Sequence, residues 1–94
     1  MRGTNPIEVS RHASEKLNDP TSKELGITRG HVEAVLRQPA CVDTSDFPVL
    51  MAVGGLSREL SLCVVYKFVE GHIRVLTFFP AERGRYERKI LPGR

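Results

Sequence analysis

A chain of 94 residues has room for one hydrophobic core and no second domain, and 40 % hydrophobic with 27 % charged residues excludes a disordered chain. Its longest apolar runs, Val49–Val53 and Leu62–Tyr66, reach five residues, against the roughly 20 that cross a bilayer. The net charge of +3 is lopsided: residues 72–94 hold six Lys/Arg against two Asp/Glu, whereas residues 1–71 hold eight against nine.

In chain order, the opening Met-Arg-Gly-Thr-Asn-Pro has no apolar stretch behind it, so no secretory signal is expected. Ser10 is placed to cap a helix through Leu17, with Ala13 and Leu17 on one face. Asn18-Asp19-Pro20 breaks that pattern, and a further turn over Ser22–Leu25 would stop at Gly26. Thr28 is a good N-cap for a second helix. Ile27 can staple onto Val32, and Val32, Val35 and Leu36 form an apolar stripe. Pro39 sets the end near Arg37 or Gln38.

The period then changes to two. Val49, Met51 and Val53 alternate up to Gly54-Gly55, and Leu60, Leu62, Val64, Tyr66 and Phe68 share one face of the next run. Ser61, Cys63, Val65, Lys67 and Val69 share the other. Glu70-Gly71 suits a tight turn, and Ile73–Phe79 reads as a last strand ended by Pro80. The expected fold is α+β in the order α-α-β-β-β: two N-terminal helices packed on a three- to four-stranded antiparallel sheet, followed by a basic tail.

Chemistry concentrates in that tail. Arg83, Arg85, Arg88 and Lys89 surround Tyr86, with Glu82 and Glu87 at the edges. Guanidinium forks match phosphate oxygens and stay charged at any working pH, and a phenol can stack on a base or move a proton. The bland alternative is a solvated segment with ordinary surface ion pairs. His12 has a side chain suited to acid–base work, or is a partly exposed histidine of a first helical turn. His31 and His72 read as structural. The three histidines are too far apart to suggest a zinc site, and no cysteine stands at ligand spacing to them. Cys41 and Cys63 read as buried apolar filler in a reducing cytoplasm rather than a disulfide. Phosphate-loop, dinucleotide-binding and nucleophile-elbow motifs are all missing, so no metal and no cofactor is expected. Asp43 and Asp46 read as loop punctuation.

Arg11-His12-Ala13, Leu25-Gly26-Ile27-Thr28 leading into His31-Val32-Glu33-Ala34-Val35-Leu36, Pro39, Val64-Val65-Tyr66, Ile73-Arg74-Val75-Leu76-Thr77 and the Arg/Tyr tail occur in an order that resembles the DUF4258 family. More distantly, the end of the chain is similar to BrnT-type toxins. The resemblance spans residues 9–89. It implies a RelE/ParE-like fold and a toxin-like role in which RNA is cleaved without a metal, the 2′-OH attacking the adjacent phosphate. On that resemblance Arg74, Arg83 and Arg85 would stabilise the phosphate, Tyr86 and Arg88 match the tail, and His12 matches the helix histidine; Lys89 adds to the RNA-binding cations. The partners implied are RNA and an antitoxin protein. Two further readings stay open from the residues: an RNA- or protein-binding module without chemistry, and an interaction protein whose exposed strand pairs with a partner or a second copy.

Overall fold

A computed structural model describes residues 5–86 of the chain. Its elements are β1 (Ile7–Val9), α1 (Arg11–Lys16), α2 (Pro20–Leu25), α3 (Arg29–Arg37), β2 (Cys41–Asp43), β3 (Leu50–Gly55), β4 (Leu60–Val69) and β5 (His72–Glu82). The strands form one mixed sheet in the order β1-β5-β4-β3-β2. Four of them run as an antiparallel series, and β1 joins β5 in parallel, Ile7 opposite Ile73 and Val9 opposite Val75.

Local chemistry accounts for the helix boundaries. The Ser10 hydroxyl accepts the Ala13 N–H at 3.2 Å, and it donates to the Leu76 carbonyl at 3.1 Å, so the cap of α1 is also a stitch to β5. Asp19 caps α2 by accepting the Ser22 N–H at 2.8 Å, with Pro20 at the first helical position. Gly26 closes that helix in the left-handed region, at φ 71°. Thr28 caps α3, and the Thr28 N–H in turn donates to His31 Nδ1 at 3.2 Å, a capping box with His31 in the usual Glu position.

All three helices lie on one face of the sheet. Ala13, Ile27, Val32 and Val35 pack there against Ala52, Leu62, Val64, Val75 and Phe78. Burial of Ile27 and Val32 in the same cluster agrees with the expected staple.

The expected arrangement of two helices on a three- to four-stranded antiparallel sheet is therefore incorrect: there are three helices and a five-stranded mixed sheet. The chain is still α+β. Three local causes explain the error. Asp19-Pro20, read as a helix breaker, is a helix start, because proline lacks only an N–H that the first turn leaves unbonded anyway. β1 and β2 are three residues each, too short to show a period, and exist through pairing. Gly54-Gly55 does close β3, as expected, but Pro80 lies inside β5 and does not end it. Pro80 pairs with Leu62 without an N–H to give, which fits a strand bordering the sheet where β1 no longer covers it. No helix among the described residues is long and apolar enough to cross a membrane.

Candidate nucleic-acid interface

The second face of the sheet carries no helix. Cys41, Val53, Cys63 and Ala81 form a small buried cluster there, with Met51, Phe79 and Tyr86 packed against it. Which β5 side chains reach this face is decided by a bulge. Tyr66 pairs with Val75 and Val65 with Thr77, so Leu76 is an extra residue and the alternation of β5 changes phase across it. Val75 and Phe78 consequently both face the helices, whereas Arg74 before the bulge and Phe79 after it face away. A strict alternation through residues 73–79 cannot produce that pattern, and no residue type in the stretch announces the bulge.

Arg74 lies in a cross-strand row, opposite Lys67 of β4 and Glu8 of β1. Glu8 also contacts the ring of His72, Oε1 to Nε2 2.7 Å, which ties the end of β5 to β1.

At the far end of β5 the chain leaves the sheet beside the β3–β4 hairpin. The Arg83 N–H donates to the Glu59 carbonyl at 2.9 Å, and the Arg83 guanidinium lies against the bare backbone of Gly55. A turn follows, the Arg85 N–H donating to the Glu82 carbonyl at 3.1 Å. Tyr86 then folds back onto the helix-free face, its half-buried ring edge-on to Phe79 at 6.1 Å between centroids. Arg88 and Lys89 lie outside the described residues.

His12 stands elsewhere. It is exposed on α1, the helix whose Ala13 is buried in the helix-side core, and borders a shallow hollow of about 300 Å³ with Glu15, Lys16 and Asp19. Nearby, Lys16 Nζ meets the Thr77 hydroxyl at 3.2 Å and lies 5.5 Å from the centre of the Phe78 ring. The structure thus gathers Arg83, Arg85 and Tyr86 at one end of the helix-free face, sets Arg74 further along it, and leaves His12 across the sheet from them.

The arginines divide in the same way. Each arginine of the helices is engaged: Arg11 with Glu15 at 3.4 Å, Arg29 with Glu33 at 2.9 Å and Arg37 with Glu33 at 3.4 Å. These contacts, led by the hydrogen bond from Arg29, hold the Glu33 carboxyl below its usual range. Arg58, Arg74, Arg83 and Arg85, on the sheet and its connections, make no ion pair with an acid among the described residues.

Another hollow, about 110 Å³, is lined by Asp43, Asp46, Leu50, Met51 and Val65 among others. The Asp43 carboxylate accepts both the N–H and the hydroxyl of Ser45, at 2.9 and 2.7 Å, and these bonds lower its pKa. It is a self-satisfied turn. No group of three or more potential metal ligands occurs among the described residues. In comparisons with known proteins, no family model, no curated protein and no solved structure matches the chain.

Proposed function

We propose that the chain is an RNA-binding module that receives the phosphate backbone on the helix-free face and its hairpin end, through Arg74, Arg83 and Arg85. One observation carries this reading: the helix arginines are neutralised by i, i+4 carboxylates, and the arginines on the sheet side are left without an acidic partner among the described residues. Lys67 adds a second cation to the row, opposite Arg74 on the side away from Glu8.

Binding without cleavage is the form the side chains favour. Cleavage through the 2′-OH needs proton transfer at two oxygens of the phosphate, and His12 stands across the sheet from the arginines. Tyr86, next to Arg85 in the chain, is packed edge-on against Phe79.

The test is a titration of a short fluorescent single-stranded RNA at several salt concentrations. Each phosphate contact contributes roughly 0.7 to the slope of log affinity against log salt. Arg74→Ala, Arg83→Ala and Arg85→Ala are each expected to lower the slope by about that amount. Salt-independent binding, or three variants with the wild-type slope, refutes the reading. RNA shortened by the wild type and left whole by Arg83→Ala/Arg85→Ala/Tyr86→Phe would establish the cleaving, toxin-like alternative in its place.

A further inference from the structure

Gly54 and Gly55 close β3 side by side, and the structure asks different things of them. Gly55 is exposed and stands opposite Ser61 in β4. It is not among the glycines with positive φ, which are Gly26, Gly71 and Gly84, so its backbone would accept any residue. A glycine in a strand costs stability relative to alanine, and conformation gives no reason for one here. Space does. A Cβ at residue 55 would fall on the Arg83 guanidinium and on no other side chain, whereas a Cβ at residue 54 would meet Val35 of α3.

We propose that Gly55 is a positioning residue for the RNA site: its bare backbone is a seat that presets the Arg83 guanidinium against the hairpin. The Glu59 carbonyl holds the main chain of Arg83 from the other side of the same hairpin, at 2.9 Å, so the main chain of Arg83 is bonded to the hairpin and its guanidinium lies beside Gly55. Arg58 belongs to that hairpin, next to Glu59, and Arg85 follows in the turn after β5. A phosphate arriving at this end meets a guanidinium that is already placed, and less side-chain freedom is lost on contact. The inference rests on the reading of the face as an RNA site, and it names the residue that organises its best-anchored arginine.

The experiment compares wild type, Gly55→Ala, Arg83→Ala, the double variant and Gly30→Ala as a control on α3. Three quantities are read: affinity for the short single-stranded RNA, its salt slope, and the urea midpoint. The far end of an arginine yields easily, so Gly55→Ala is expected to keep the wild-type urea midpoint. Its affinity is expected to fall about three- to tenfold, with a loss of up to about 0.7 in salt slope. Adding Gly55→Ala to Arg83→Ala is expected to change neither quantity further, and Gly30→Ala to bind as the wild type does. A seat with no role in binding would give Gly55→Ala the wild-type affinity and slope; a purely structural glycine would weaken Arg83→Ala further. Either result overturns the inference while leaving the RNA reading intact. A wild type that fails to bind RNA removes the RNA reading itself. The seat is then judged by NMR, where the Arg83 Nε proton should be dispersed in wild type and collapse to the solvent-exposed position in Gly55→Ala.

Discussion

Replacing Gly54 by alanine tests how closely α3 approaches the sheet. The added methyl would lie 2.9 Å from Val35 Cγ2, 3.3 Å from Cγ1 and 3.4 Å from Cβ. Both residues are buried, and Val35 is 5 % exposed on a helix fixed by its own cap and core contacts. Forcing a methyl into a packed contact costs roughly 1–3 kcal/mol, offset by the 0.5–1 kcal/mol or so that alanine gains over glycine in a strand. The net expectation is a loss of about 1–2 kcal/mol. Val35→Ala removes two methyls at about 0.8 kcal/mol each, so it costs about 2 kcal/mol once a partial cavity is added. In the double variant the new methyl occupies space the valine vacated, and the total is expected near 2 kcal/mol rather than the sum of about 3–4. Urea unfolding of the four proteins measures this directly. In a thermal melt Gly54→Ala should lose roughly 5–15 °C, at about 4–8 °C per kcal/mol for a domain of this size. A Gly54→Ala protein as stable as wild type, or single costs that add to within about 0.5 kcal/mol, would refute the close approach.

Two further outcomes follow from local chemistry. Burial pushes the Tyr66 hydroxyl above its ordinary value of 10.0; the native state therefore holds this proton more tightly, and stability should be complete below about pH 10 and fall as pH rises through the native pKa. Tyr66→Phe should remove that part of the alkaline loss in unfolding curves measured at successive pH values, and an unchanged profile would contradict it. Thr28→Ala removes the oxygen that accepts the His31 N–H and should cost about 1 kcal/mol; a cost near zero in the same urea assay would mean that the cap is idle.

What was legible in the residues was what repeats over several positions. The stripe of Val32, Val35 and Leu36, the alternation through β4, and the positive-φ turn at Glu70-Gly71 all stand in the structure. The first strand was not legible, because Ile7-Glu8-Val9 is strand only by virtue of residues 73–75. The bulge at Leu76 was hidden for a related reason: it is a property of how β4 and β5 register, not of any residue in either. At the site, the tail's charge could be counted from the chain. That Arg83 would lie on Gly55, or that Glu33 would engage two helix arginines at once, could not, since each depends on where a second element comes to rest.

The parallel pairing of β1 with β5 has a consequence for synthesis. Ile7 finds Ile73, and Ser10 finds the carbonyl of Leu76, across 66 residues in each case. At roughly 5–20 residues per second, the first strand waits about 3–13 s on the ribosome before its partner has been made. Helix α1 waits as well, since Ala13 is buried against a core that includes Val75 and Phe78, whereas α3 packs on β3 and β4, which are made earlier. Until β5 emerges, β1 has no strand to pair with and α1 lacks the part of the core that β5 supplies. Completion of the long β4–β5 hairpin lets α1 and β1 dock together.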